Sequence, residues 1–124
     1  PLCFLLISVG AHNRCPTYTA MEEWYSAFNL DLNPKLEWDA GLSSDACNEA
    51  RGIVPSNAPH KFKAEKTFTK AGLVPDMIME TLKDGLKDNT QTENVRKLPD
   101  HTKYGCNSFF EKNLVKVVCV YKTI

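Results

Sequence analysis

Cysteine is the residue type in this chain best suited to covalent chemistry, and it occurs at positions 3, 15, 47, 106 and 119. If Cys3 is set aside, Cys15, Cys47, Cys106 and Cys119 make an even set, which in an exported domain reads as two disulfides. Zinc is a poor alternative, because no Cys-x-x-Cys pair occurs and the three histidines are scattered. Sulfurs held in disulfides are not available as thiolate nucleophiles. Neither Gly-x-Ser-x-Gly nor His-Glu-x-x-His is present. The residues therefore point to no catalytic set, no metal and no cofactor, and His60 and His101 read as ordinary loop histidines.

A second chemistry is binding. Lys61, Lys63, Lys66 and Lys70 interleave with Phe62 and Phe68, a composition that can meet a sulfated sugar or an anionic membrane surface. The competing reading is a solvated loop whose phenylalanines pin it to the core, with Glu65 lowering the local charge. Lys61, Phe62, Lys63, Lys66 and Phe68 are thus a candidate binding loop.

Cys3 is set aside because residues 2–9 form an uncharged apolar run at the start of the chain, far short of the roughly 20 residues of a bilayer-spanning helix. The run resembles the core of a secretory signal, with Val9, Gly10 and Ala11 as a small-residue cleavage site. Pro1 opens the sequence without a basic segment, so residues 1–11 read as a truncated leader and residues 12–124 as a single secreted domain. A buried amino-terminal strand is the alternative. The chain has 124 residues, 43% of them hydrophobic, a size and composition suited to one core. Fifteen basic against fifteen acidic residues give zero formal charge, which removes the electrostatic footprint of a nucleic-acid binder. No Asn-x-Ser/Thr glycosylation acceptor occurs.

The elements that must position these groups follow from periodicity. Thr19 and Glu22 have capping-box spacing, and Met21, Trp24, Tyr25, Phe28 and Leu32 then fall on one helical face until Asn33-Pro34 stops it. Asp39 is placed to cap a second helix running to Arg51, with Leu42, Ala46 and Ala50 inward, Cys47 beside them and Gly52 in a left-handed stop. Residues 53–72 show no clear period and contain Pro55, Asn57 and Pro59, so they read as a long surface loop with at most a short strand near residues 67–69. Pro75 opens a third helix with Ile78, Met79, Leu82 and Leu86 facing inward, weakened at Gly85. The polar stretch 87–97 reads as frayed loop.

The end of the chain is β. Residues 104–110 and 114–121 flank a polar Glu111-Lys112-Asn113 turn. The last strand is apolar on both faces apart from Lys116 and should lie centrally under helices on each side. Helices first, strands last and a two-sided strand indicate an α+β fold, a three-layer α-β-α sandwich closed by a carboxy-terminal antiparallel hairpin. Of the three connectivities open to four cysteines, only the local one can be argued: Cys106 and Cys119 flank the hairpin, and closing that loop of about 14 residues stabilises by about 3 kcal/mol in the chain-entropy picture. Cys15 to Cys47 follows by elimination.

Three stretches then carry a resemblance. Lys35-Leu36-Glu37-Trp38-Asp39 with the following Leu42, Ala46, Ala50 helix, Thr102-Lys103-Tyr104-Gly105-Cys106, and Val117-Val118-Cys119-Val120-Tyr121 together resemble the CAP superfamily. Cys15-Pro16 followed by Met21-Glu22 resembles the start of nematode activation-associated secreted proteins, also called venom-allergen-like proteins, and the shortness of the chain resembles their abbreviated hookworm relatives, the ASP-related proteins. The likeness spans more than half of the chain after residue 11 and rests on the order of motifs. It implies the α-β-α sandwich, here truncated, and independently implies the Cys106 to Cys119 bridge. Family members with a full central cavity carry two histidines and two acidic residues. Here Gly-Glu-Asn and His-Phe-Thr-Gln are absent, His101 stands too close to Gly105, and His60 follows Pro59 without the expected partners, so no metal or catalytic residue carries over.

The expected function is that of a secreted, disulfide-stabilised, non-catalytic protein that binds another protein, host-derived if the parasite likeness holds, through loops on a rigid sandwich. Carriage of a small lipid, sterol or fatty acid, is the alternative that the resemblance implies, and apolar pockets of that kind leave little trace in sequence.

Overall fold

The computed structural model of the chain describes residues 15–18 and 20–123. The leader expected at residues 1–11 and the helix cap expected at Thr19 lie outside the described residues. Helix α1 spans Met21–Leu32 with Ala20 at its cap and no side-chain cap bond. Strand β1 is Glu37–Trp38, and α2 follows over Ala40–Ala50, where the Asp39 carboxylate accepts the Leu42 amide at 3.1 Å and Gly52 turns the chain away at φ 73°. Strand β2 is His60–Thr67, α3 is Val74–Gly85 and α4 is Asn89–Arg96. Strands β3, Lys103–Glu111, and β4, Leu114–Lys122, complete the order.

The sheet runs β1-β3-β4-β2, with β1 parallel to β3 and the other pairs antiparallel. Strand β4 therefore lies inside the sheet, as its two-sided apolar pattern demands. Its neighbour β3 turns into it through Lys112, which adopts the left-handed φ of 56° that tight hairpins require. One face of the sheet carries Tyr104, Cys106, Phe110, Val115, Val117, Cys119 and Tyr121 against α1, α3 and α4. The other carries Phe109, Val118 and Val120 against Leu42, Ala46 and Ala50 of α2. The result is the α-β-α sandwich.

Gly105 decides how close α2 can sit. A Cβ there would come within 2.2 Å of the Ser43 amide nitrogen and 2.5 Å of the Leu42 carbonyl carbon. Those are backbone atoms, which cannot swing aside as a side chain would. Gly85 plays the same part on the opposite face, where a Cβ would fall 2.8 Å from that of Ala64 and 2.9 Å from the Phe62 ring. Its cost in helix propensity is offset by letting α3 cross β2.

Two expectations are corrected. Residues 60–67, read as part of a long loop, form an eight-residue edge strand paired along its length with β4. Its inward side chains are Phe62 and Ala64 alone among apolar residues, so the period-two signal is faint, and lysine on an edge strand is the ordinary defence against further pairing. Residues 89–96, read as frayed loop, form α4, capped by the Asp88 carboxylate accepting the Gln91 amide at 3.1 Å. Only Thr92 and Val95 of α4 are buried, too few to register as a helical stripe. On α3, Val74, Met77, Ile78, Thr81 and Leu82 are the buried set, with Met79 and Leu86 at the margin.

Candidate interaction surface

Cys106 and Cys119 stand directly opposite each other on β3 and β4 and are joined by a disulfide. Cys15 is joined to Cys47 on α2. The first bridge is fully buried beneath α1, where the Asn29 amide nitrogen lies 3.2 Å from Sγ of Cys106 and 3.5 Å from Sγ of Cys119. That amide also donates to the Tyr25 carbonyl at 2.9 Å, and its oxygen accepts from the Tyr121 hydroxyl. Tyr25 and Ser108 share a further buried hydroxyl bond. Burial, only partly countered by Ser108, pushes the Tyr25 phenol up, and burial raises that of Tyr121 as well. This interior is polar but satisfied and closed, so it stabilises and offers no entry to a substrate.

The opposite face presents the open surface. Glu49 sits at the end of α2 with its side chain only 7% exposed. Lys61 Nζ lies 2.7 Å and Lys63 Nζ 3.0 Å from its two oxygens, and the Ser56 amide donates to it at 2.8 Å. Burial alone would raise the carboxyl; Lys61, the Ser56 amide and Lys63 overcome it and hold the pKa down at about 2. A buried carboxylate with three charge-assisted donors is a clasp, and what it clasps is the turn after α2. That turn is tied further by the Ile53 amide donating to the Asn48 carbonyl at 3.1 Å and by the Ala58 amide donating to Ser56 Oγ at 3.1 Å.

The pinned turn displays two aliphatic side chains to water: Ile53 is 57% and Val54 53% exposed. Beside it opens a groove of about 370 Å³ lined by Glu49, Gly52, Lys63, Glu65, Lys116 and Val118, among others. The two aliphatics had one sequence signal, an apolar pair between Gly52 and Pro55 in a polar stretch. Glu49 had none, since its partners lie on a strand that the sequence did not announce.

The lysine and phenylalanine residues singled out from sequence do not form a loop. Phe62 is fully buried against Phe28, Phe68 packs on the same core, Lys61 and Lys63 are ion-paired with Glu49, and Lys66 lies 3.8 Å from Asp84. His60 opens β2. His101, at a left-handed φ of 67°, donates its amide to the Lys35 carbonyl at 2.9 Å and sets Nδ1 2.6 Å from Glu37 Oε2. Lys103, 2.5 Å from Glu37, and then His101 lower that exposed carboxyl. Among the described residues no three His, Cys, Asp or Glu side chains converge to hold a metal ion, and no helix is long and apolar enough to cross a membrane. A groove of about 210 Å³ between α1 and α3, lined by Phe28, Leu32, Met79, Lys83 and Leu86 among others, is smaller than an ordinary ligand pocket of about 300 Å³ or more.

Comparison with known proteins places these features. Residues 24–123 match the profile of a family described as ES15, 15 kDa excretory/secretory protein. A 15 kDa excretory/secretory protein of Haemonchus contortus is 29% identical across 78% of this chain and 73% of its own length. A 30 kDa antigenic glycoprotein of Trichostrongylus colubriformis is 27% identical across 81% of this chain and 77% of its own. Among solved structures, the Ancylostoma-secreted protein Ac-ASP-7 in its manganese-bound form superposes with a TM-score of 0.70 at 18% identity, covering 89% of this chain and 72% of that one. Hookworm platelet inhibitor superposes at 0.60 with 12% identity, over 94% of this chain and 76% of that one. These structures share the fold, the α-β-α sandwich with a carboxy-terminal antiparallel hairpin that the resemblance implied.

Proposed function

Because the chain belongs to the family of 15 kDa excretory/secretory proteins and is a secreted, disulfide-bonded nematode protein, we propose that it acts without catalysis, by binding a host protein through the Ile53–Val54 turn and the adjoining groove. The observation that carries this reading is exposed aliphatic surface on a rigid support. A mobile loop must be ordered on binding, at a cost in affinity; this turn is already ordered by the Glu49 clasp, and the Cys15–Cys47 bridge holds the helix behind it. Mixed charge around the groove, from Glu65, Lys63 and Lys116, supplies a polar rim around an apolar centre, the usual anatomy of a protein contact.

Further support comes from a relative in fold. One structure that shares the fold is named a hookworm platelet inhibitor, and platelets are host cells.

The test is binding of the disulfide-intact secreted chain to host plasma proteins and cell surfaces, followed by measurement of affinity for whatever binds saturably. The double variant I53S/V54S should fold as the parent does and weaken binding by about tenfold or more, as expected for truncating a central anchor. Saturable binding that this variant leaves unchanged removes the assigned surface, and hydrolysis or group transfer abolished by a single substitution would remove the non-catalytic reading.

A further inference from the structure

The two outer margins of the sheet are treated in an unexpected way. On β3, beyond the short reach of β1, the Cys106 carbonyl accepts from Ser43 Oγ at 2.8 Å and the Ser108 amide donates to Asn107 Oδ1 at 3.0 Å. On β2, the side chain of Gln91 in α4 makes both bonds of a missing strand at once. Its oxygen accepts the Lys63 amide at 2.8 Å and its nitrogen donates to the Lys63 carbonyl at 3.0 Å. A carboxamide has the donor and acceptor of a peptide group, and here it stands where a neighbouring strand's peptide would stand.

We propose that the outer edge of β2 is a pairing surface for a second copy of this chain and that Gln91 holds it closed. Residues two apart along a strand share an orientation, so the outward backbone groups belong to Lys61, Lys63, Glu65 and Thr67. Two copies of this edge can pair antiparallel in one register that sets Lys63 of each opposite Glu65 of the other, with Ala64 meeting Ala64 at the centre. The register displaced by two residues in one direction keeps two opposite-charge pairs, Lys61 with Glu65, but adds Lys63 against Lys63, and the other sets Glu65 against Glu65; like charges directly opposite are unfavourable. Charge therefore selects both the partner and the alignment. While Gln91 occupies the Lys63 rung, the central hydrogen bonds of that pairing cannot form.

The experiment compares the disulfide-intact parent with Q91A and Q91A/E65K by light scattering across a concentration series, with thermal unfolding to establish that each is folded. Q91A should dimerise at a concentration about tenfold lower than the parent, the scale set by a few cross-strand pairs. E65K in the Q91A background turns both central pairs into lysine facing lysine and should restore the parent's behaviour. A synthetic peptide of residues 60–67 should bind Q91A and not the parent. The proposal is overturned if Q91A associates no more readily than the parent, if E65K leaves its association intact, if association appears only in chains that have lost the parent's thermal transition, or if a scrambled peptide of the same composition binds equally well.

Discussion

The two faces of the sheet bury about the same kinds of residue and do different things with their polar groups. On the α1 side, Asn29, Tyr25, Ser108 and Tyr121 are sealed over the Cys106–Cys119 disulfide, each with a partner and none with an outlet to solvent. On the α2 side, the helix ends before the sheet does, and the gap is edged by Glu49 with its two lysines and by a turn carrying bare aliphatics. Polar groups on the first face specify the core; those on the second hold a surface in shape. The lesson is that the same sandwich separates stability and presentation by layer.

Substitutions test that separation. The largest effect should come from G105A, which drives a methyl group into the backbone of α2 and should cost about 3 kcal/mol or more in urea unfolding. Removing the buried bridge in C106A/C119A should cost about 3 kcal/mol, read as a lower denaturation midpoint with α2-side binding retained wherever the chain is folded. N29A orphans the Tyr121 hydroxyl in the interior and should cost about 2 kcal/mol.

Glu49 joins the two behaviours. E49Q should cost about 1 kcal/mol at neutral pH while weakening partner binding through a loosened turn. Its pH dependence has a definite sign. The folded carboxyl lies at about 2, below its ordinary value of 4.5, so its contribution is present above the ordinary value and is lost as pH falls toward 2. The parent should lose stability over that interval more steeply than E49Q, measured by urea midpoints at successive pH values. The smallest stability effect belongs to I53S/V54S, within about 0.5 kcal/mol of the parent because both side chains already meet water; a larger loss would mean that the turn belongs to the core after all.

Much of the architecture could be read directly from the residues. The stripe Met21, Tyr25, Phe28, Leu32, the Asp39 cap with Gly52 beyond the helix, and the two-sided apolar strand ending at Tyr121 are dense local patterns, and each became the expected element in its expected layer. Strand β2 and helix α4 were illegible for one reason: each buries at most two side chains, and each exists because something distant in sequence completes it. Pairing to β4 makes residues 60–67 a strand, and burial of Thr92 and Val95, the latter in the main core, makes residues 89–96 a helix.

Composition and periodicity were sufficient for the sandwich, because burying a continuous apolar stripe is favourable wherever its partner lies in the chain. The surface was settled only in three dimensions. Whether a lysine is a free cation or half of an ion pair depends on a carboxylate that no spacing rule connects to it, and whether an isoleucine is core or display depends on where a helix happens to end. In the sequence Lys61 and Lys63 read as binding cations; Glu49, paired with both and accepting the Ser56 amide, makes them fasteners of the turn that carries Ile53.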